Sequence, residues 1–593
     1  MKLLLKSLIG MAMTAAAQGA VAQTIYPVDR AEILSGAKFD LKVEFPGKPA
    51  SGSVTVNGQD AAAFFGKTAS FIEGEEGGQL SAYWLRDVSL PKAGDYVIEA
   101  VAGDKKAKVG WQAFDAPARK ARNVILFIGD GFSIAHRTAA RILSKGLVEG
   151  RYGGELAVDD MPHMALVSTS GTDSVVTDSA NAMSAYTTGH KSCVNALGVY
   201  CAANKNTLEH PKVETIGELV KRRAGMSVGV VTNTEIEDAT PAGMVAHTRR
   251  RADYNDIVKM FFEVQPEVML GGGSPNFLAK STPGSKRTDE DDYIKKFEGA
   301  GYKFVGTNTE LKAATGEGAN TTRLLGLFNT GNIDGALDRF FLKKGTVGKF
   351  PDQPDLTDQV RAALSVLSKD EDGFVLMVES GRIDKYSHSL DWERAVYDTI
   401  MLDNAVKLAK DFAAAKNDTL IVVVADHGHP VSIVGTYDDN APGTEAREKL
   451  GVYAESKVPN YPKANEAGYP DNVDVSRRLA FSFGTYPDYC ALYRPYLDGE
   501  NVPAVKGPDG KANIANEKYC AEPLAVRKEG NLPRESNTGV HAADDVVLTA
   551  TGPGAEQFHG RIDNTRVFRY ITTALGLGQQ VGGSMVKSEA SVK

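Results

Sequence analysis

The chain has 593 residues, 42% of them apolar and 24% charged, enough to bury a large core in one big domain with a smaller companion. Its formal net charge of −8 argues against a nucleic-acid-binding surface, which would show a basic field, so any anionic ligand must be attracted by local cations. Beyond the N-terminus no segment supplies the ~18 uninterrupted apolar residues of a membrane span.

Residues 1–22, MKLLLKSLIGMAMTAAAQGAVA, run from basic through apolar to small residues, in secretory order. They predict a signal peptide cleaved after Ala22 and a mature protein that is periplasmic or secreted. From Ile25 to Ala116 the pattern is β-like. Phe39, Leu41, Val43 and Phe45 alternate with Lys38, Asp40, Lys42 and Glu44, as in a strand buried on one face. Residues 24–116 are expected to form a small immunoglobulin-like β-sandwich, either packing on the rest of the chain or attaching it to a surface, glycan or partner.

Past Ala116, apolar strands alternate with longer amphipathic segments such as Thr357–Leu367 and Leu390–Leu408, which predicts an α/β fold with a mainly parallel sheet. This main domain is expected over 119–580, leaving a C-terminal tail, 581–593. Within it, residues 431–538 are rich in Pro, Gly, Asn and Tyr, and they read as a long irregular insertion. Tyr437, Tyr461, Tyr486 and Tyr493 in the insertion either overhang a site or pack among themselves. Four cysteines fall into two sequence-local couples, and disulfides Cys193–Cys201 and Cys490–Cys520 are the expected pairing, as against free buried thiols.

Four strand-like segments of the main domain end on acidic or imidazole groups. These are NVILFIGDG at Asp130, SVGVVTNTEIEDAT at Asp238 and Thr240, GFVLMVESGRIDKYSH at Glu379, Asp384 and His388, and TLIVVVADHGH at Asp426 and His427. In an open α/β sheet ligands bind beyond the carboxyl ends of the strands, so these groups are expected to converge. Any one of them alone is ordinary turn or cap chemistry. Together they call for cations: imidazoles with carboxylates suit zinc, and an oxygen-only set suits magnesium. Spacing alone does not allot the ligands among metals.

These segments, with TDSANAMSAYTTGHK, EDATPAGMVAH and NTGVH, occur in the order found in metal-dependent alkaline phosphatases with a serine nucleophile, and the chain resembles that family from about Asn123 to Phe558. The resemblance implies a first zinc on Asp384, His388 and His541, and a second on Asp426, His427 and one oxygen of Asp130. It implies magnesium on the other oxygen of Asp130 with Thr240 and Glu379, Asp238 bonding the magnesium waters. It further implies Arg251 as the phosphate-binding arginine and Lys385 as a residue that reaches phosphate through water.

Ser179 opens TDSANAMSAYTTGHK as a candidate helix cap. Under the resemblance it is also the nucleophile: a helix N-terminus favours negative charge, so capping and catalysis are compatible, and the implied second zinc can coordinate its oxygen and generate an alkoxide. The function expected is hydrolysis of phosphate monoesters through a phosphoserine, and a homodimer is compatible with it. A sulfatase would carry a Cys/Ser-x-Pro-x-Arg core, whereas Ser179 is followed by Ala180-Asn181-Ala182. Phosphodiesterase chemistry on a related fold and a surface-binding role dominated by the β-domain compete with the monoesterase expectation.

Overall fold

The computed structural model describes residues 23–49, 52–116, 118–453, 459 and 461–578. The expected signal peptide and the tail 581–593 lie outside the described residues.

The centre is a ten-stranded sheet in the order Lys303–Val305, Leu324–Leu327, Val268–Gly272, Ser227–Glu235, Phe374–Ser380, Asn123–Gly129, Thr419–Val424, Val546–Thr551, His163–Ser168 and Gly560–Asp563. All pairings are parallel except those made by Val546–Thr551, which runs against both neighbours. The strands Asn123–Gly129, Phe374–Ser380 and Thr419–Val424 are buried along their whole length. That explains why they read as unbroken apolar runs: a parallel sheet is covered on both faces. Among the helices, Ile134–Lys145 and Leu356–Leu367 pack on Trp392–Ala414, and Thr565–Leu575 packs on Ser179–Thr188.

The two helices expected from periodicity occur, with shifted ends. Leu356–Leu367 is capped by Asp355, whose carboxylate accepts from the Asp358 N–H. The segment expected from Leu390 begins at Trp392, because Leu390 sits at φ 56 in the left-handed region and Asp391 takes the cap position.

Residues 24–114 form two sheets, one of Thr24–Tyr26, Phe39–Pro46, Leu80–Val88 and Ser70–Gly74, the other of Glu32–Leu34, Lys105–Phe114, Gly94–Ala102, Ser53–Val56 and Gln59–Asp60. Both contribute to one core that includes Leu41, Val43, Val56, Ile98 and Trp111. The expectation that Phe39–Pro46 buries one face only is incorrect. Asp40, Lys42 and Glu44 are buried too, because the charged face docks on residues 200–213 of the main body. Lys212 N–H donates to Asp40 Oδ2 at 3.2 Å and Ala203 N–H to Glu44 Oε1 at 2.8 Å. Lys42 Nζ is neutralised 3.1 Å from Glu44 and 2.9 Å from Glu75.

The insertion is more regular than its composition suggests. It holds a three-stranded antiparallel sheet, Leu450–Gly451, Val431–Asp438 and Arg477–Phe483, and two two-stranded ribbons, Tyr489–Ala491 with Val526–Lys528 and Ala504–Lys506 with Asn513–Ala515. Most of these strands have only two or three residues, and the longest pair is bulged between Ile433 and Gly435, so no period-two signal has the length to show. Phe481 anchors the sheet by stacking on Trp392 at 4.2 Å. Tyr437 is buried and stacks on Tyr493 at 5.0 Å, while the Tyr461 hydroxyl accepts from the Leu479 N–H, so these tyrosines pack inside the insertion. Tyr486 packs on Tyr489 at 5.3 Å. Both expected disulfides, Cys193–Cys201 and Cys490–Cys520, are present. Among the described residues no helix is long and apolar enough to cross a membrane.

Candidate active site

Register brings the strand ends together. Ile128 stands opposite Glu379 on one side and Val424 on the other, and Thr232 stands opposite Glu379 from the next strand. Asp130, Glu379 and Asp426 therefore leave the sheet side by side at its carboxyl edge. Gly131 permits the turn that aims Asp130: its φ is +65, and a Cβ there would stand 2.6 Å from His429 Cδ2. Asp384, Lys385 and His388 lie on the single helix Arg382–His388, Asp384 and His388 one turn apart and on one side. His541 follows the insertion, and its Nδ1 lies 2.9 Å from the Thr177 carbonyl, which turns Nε2 inward.

Two groups of donors result: Asp384, His427, His429 and His541 in one, Asp130, Asp426 and His427 in the other. Around Asp384 Oδ1 stand three imidazole nitrogens, His429 Nε2 at 2.6 Å and His388 and His541 Nε2 at 3.3 Å each. His388 Nε2 and His541 Nε2 are 3.1 Å apart, while the His388 Nδ1 is engaged by the Gly539 carbonyl at 2.7 Å. On the other side His427 Nε2 is 3.3 Å from both Asp130 Oδ1 and Asp426 Oδ2. Those two oxygens and Thr240 Oγ1 are buried and make no hydrogen bond. The two carboxylate oxygens, unbonded and gathered with a His427 ring nitrogen, fit a bound cation.

The electrostatics agree. Burial, with the charges of Asp384, Asp426 and Glu379, pushes the Asp130 carboxyl well above its ordinary range. Burial likewise raises Glu379 to about 7 and Asp426 to about 6. Burial drives His427 well below the usual imidazole range and His429 to about 4, so both are neutral, the form that ligates metals. Despite burial, His388, His429 and His541 hold Asp384 ionised.

Beside these groups Ser179 Oγ lies 3.2 Å from His427 Nε2. Ser179 is not the cap of its helix. Asp178 is, accepting from the Asn181 N–H at 3.1 Å while Asn181 Oδ1 takes the Asp178 N–H at 3.0 Å, which leaves Ser179 as the first helical residue, its hydroxyl facing the donors. Arg251 Nη2 donates to Asp238 Oδ1 at 2.7 Å and Nη1 to Asp178 Oδ2 at 3.3 Å, and Lys385 Nζ is 3.1 Å from Asp238 Oδ2. Two cations thus meet at Asp238, and one of them, Arg251, reaches the residue before the serine, in a chain of net negative charge.

The sequence model of the alkaline phosphatase family matches residues 121–577. The chain belongs to the alkaline phosphatase family. An alkaline phosphatase of Gadus morhua is 31% identical to it over 506 residues, covering 78% of this chain and 93% of that one. The crystal structure of the Thermus thermophilus alkaline phosphatase is similar at 26% identity and a TM-score of 0.56, covering 79% of this chain and 93% of its own. A variant of the alkaline phosphatase of the Antarctic bacterium TAB5, solved with magnesium bound, shares the fold at 21% identity and a TM-score of 0.51 over 78% of this chain and 99% of its own. The protein is thus a phosphatase of a metal-dependent family.

In this chain the residues singled out at the four strand ends, with Ser179, Arg251, Lys385 and His541, lie at the same edge of the sheet or beside it. Glu379 and His388 stand outside both groups of donors, Glu379 with its Oε2 taken by the hydroxyls of Thr232 and Thr234, the latter at 2.9 Å, and His388 with its Nε2 beside Asp384. His429 was missed. The signal was present in ADHGH, where His427 and His429 are two apart, but one histidine of such a pair is free to face away from the site. Here Ser133 prevents that by bonding the His429 backbone in both directions, from its hydroxyl to the carbonyl at 2.7 Å and from the N–H at 2.8 Å.

Proposed function

We propose that this phosphatase hydrolyses phosphate monoesters through a covalent phosphoserine at Ser179, with two zinc ions and one magnesium ion. Asp384, His388 and His541 would hold the first zinc, Asp426, His427 and one oxygen of Asp130 the second, and the other oxygen of Asp130, Thr240 and Glu379 the magnesium. The mixed imidazole and carboxylate sets suit zinc and the oxygen-only set suits magnesium. Bound there, divalent cations would ease deprotonation of a hydroxyl or water and screen the phosphate charge.

Ser179 Oγ attacks phosphorus, the bond from phosphorus to the alcohol oxygen breaks, and the alcohol leaves with a proton. A water oxygen then bonds to the phosphorus of the phosphoserine, the bond to Oγ breaks, and the serine hydroxyl regains its proton as inorganic phosphate departs. Arg251 offers two parallel donors to non-bridging oxygens, which a monoester presents freely and a diester does not. Asp238 keeps Arg251 and Lys385 aimed: despite burial, the two cations hold its carboxyl ionised below the ordinary range.

The observation that carries this reading is the pair of buried, unbonded oxygens of Asp130 and Asp426 gathered around His427 Nε2, which lies 3.2 Å from Ser179 Oγ. Metal analysis of the purified protein, with rates on a matched monoester, diester and sulfate ester, tests it. Zinc and magnesium with a strong monoester preference are expected; full activity in metal-free protein contradicts it. Export of the mature chain completes the reading, supported by the secretory pattern of residues 1–22 and by two disulfides, which persist in oxidising compartments.

A further inference from the structure

Arg251 and the helix cap in front of Ser179 are joined by one residue that neither the sequence pattern nor the phosphatase chemistry singles out. The Asn195 N–H donates to Asp178 Oδ2 at 3.1 Å, and the Asn195 carbonyl accepts from the Arg251 N–H at 2.7 Å. Asp178 Oδ2 is the same oxygen that meets Arg251 Nη1 at 3.3 Å. Asn195 does this with its backbone alone, at φ 69 in the left-handed region, while its side chain is exposed.

The loop around it is fixed on both sides. Cys193 and Cys201 close it. Leu197 and Thr248 exchange backbone hydrogen bonds at 2.8 and 2.9 Å, and Arg249 Nη1 donates to the Val194 carbonyl at 2.9 Å, so the loop is laced to the segment that carries Arg251. Its far side sits on the N-terminal sheets. Tyr26 Oη donates to the Cys201 carbonyl at 3.0 Å, and Tyr200 and Val213 are buried in the core of that unit.

We infer that Asn195 is a positioning residue, whose peptide groups set Arg251 and the start of the Ser179 helix at a fixed separation for phosphate. The inference rests on the proposed phosphate-binding role of Arg251. Because the contacts are made by backbone in a left-handed conformation, the side chain matters only through the φ it permits: glycine adopts that conformation freely, and a β-branched residue resists it.

The test is competitive inhibition by inorganic phosphate of the metal-loaded full chain, with zinc content measured alongside. Asn195→Gly is expected within ~2-fold of wild type, since glycine tolerates the left-handed region. Asn195→Val is expected to weaken phosphate by about tenfold at unchanged zinc content, the cost of forcing that residue left-handed. Arg251→Ala weakens phosphate by itself, and Asn195→Val should then add nothing in the Arg251→Ala background. If Asn195→Val does not accumulate as folded protein, Asn195→Ala carries the same comparison with less strain. Phosphate inhibition unaffected by Arg251→Ala would remove the role proposed for Arg251 and this inference with it. A clear Arg251→Ala effect would leave that role standing, but the inference is overturned if Asn195→Val matches wild type, acts fully in the Arg251→Ala background, or is matched by Asn195→Gly.

Discussion

Asp238 Oδ1 accepts a 2.7 Å charge-assisted hydrogen bond from Arg251 Nη2. The other carboxylate oxygen, 3.1 Å from Lys385 Nζ, engages the second cation, so one acidic residue aims both positive groups of the site. In the proposed phosphate site the shape of the guanidinium, rather than its charge alone, would be the selective element. Arg251→Lys is expected to lower kcat/KM for a monoester by roughly 10- to 100-fold, the usual worth of hydrogen bonds to charged groups, and to lower a diester rate less. Steady-state rates on a matched pair of esters check this, and equal losses on both would argue against a two-pronged clamp.

His429 touches Asp384 Oδ1 at 2.6 Å and is locked from behind by Ser133. Because Asp384 is proposed as a zinc ligand, His429, which orients it, is expected to matter to metal retention more than to folding. His429→Ala should speed zinc loss to a chelator by about 10- to 100-fold, with little change in the thermal midpoint of the metal-free protein. Zinc loss at the wild-type rate would show that Asp384 needs no such support.

Lys42 is fully buried between Glu44 and Glu75 at the contact of the β unit with the main body. Lys42→Met leaves two carboxylates without their cation, and a loss of ~3–5 kcal/mol is expected, as for breaking other buried ion pairs from one side. The triple change Lys42→Met, Glu44→Gln, Glu75→Gln should recover most of it. Denaturant unfolding of the three proteins measures this.

Burial holds His190 neutral in the fold, its pKa pushed down to about 3 from 6.5, with its Nδ1 2.6 Å from the Tyr200 hydroxyl. The unfolded chain takes up the proton near 6.5 and the folded chain does not, so His190 leaves stability intact above that pH and erodes it as pH falls from 6.5 toward 3. His190→Gln should therefore show a shallower decline than wild type in unfolding midpoints taken from pH 7.5 to 5. Parallel declines in the two proteins would contradict the assignment.

What was legible in the sequence follows from burial. The strands that carry Asp130, Glu379 and Asp426 are covered on both faces, so they stand out as apolar runs, and the abrupt polar residues at their ends mark the rim of the sheet. Asp40, Lys42 and Glu44 misled because alternation normally reports solvent on the polar face, and here that face meets another polar surface. Thr177-Asp178-Ser179 offers three residues able to cap, and only the reciprocal bond from Asn181 selects Asp178. Asn195 carries no local signal, since its contribution comes from peptide groups that every residue possesses.

The hydroxyl of Ser179, set 3.2 Å from His427, is the atom proposed to take up the phosphoryl group. Incubating the metal-loaded protein with labelled inorganic phosphate at mildly acidic pH, quenching in acid and mapping the modified peptide by mass spectrometry reads this directly. Label on Ser179, absent from Ser179→Ala protein that retains its metals, is the predicted result. Label on another residue, or undiminished turnover by Ser179→Ala, would contradict it.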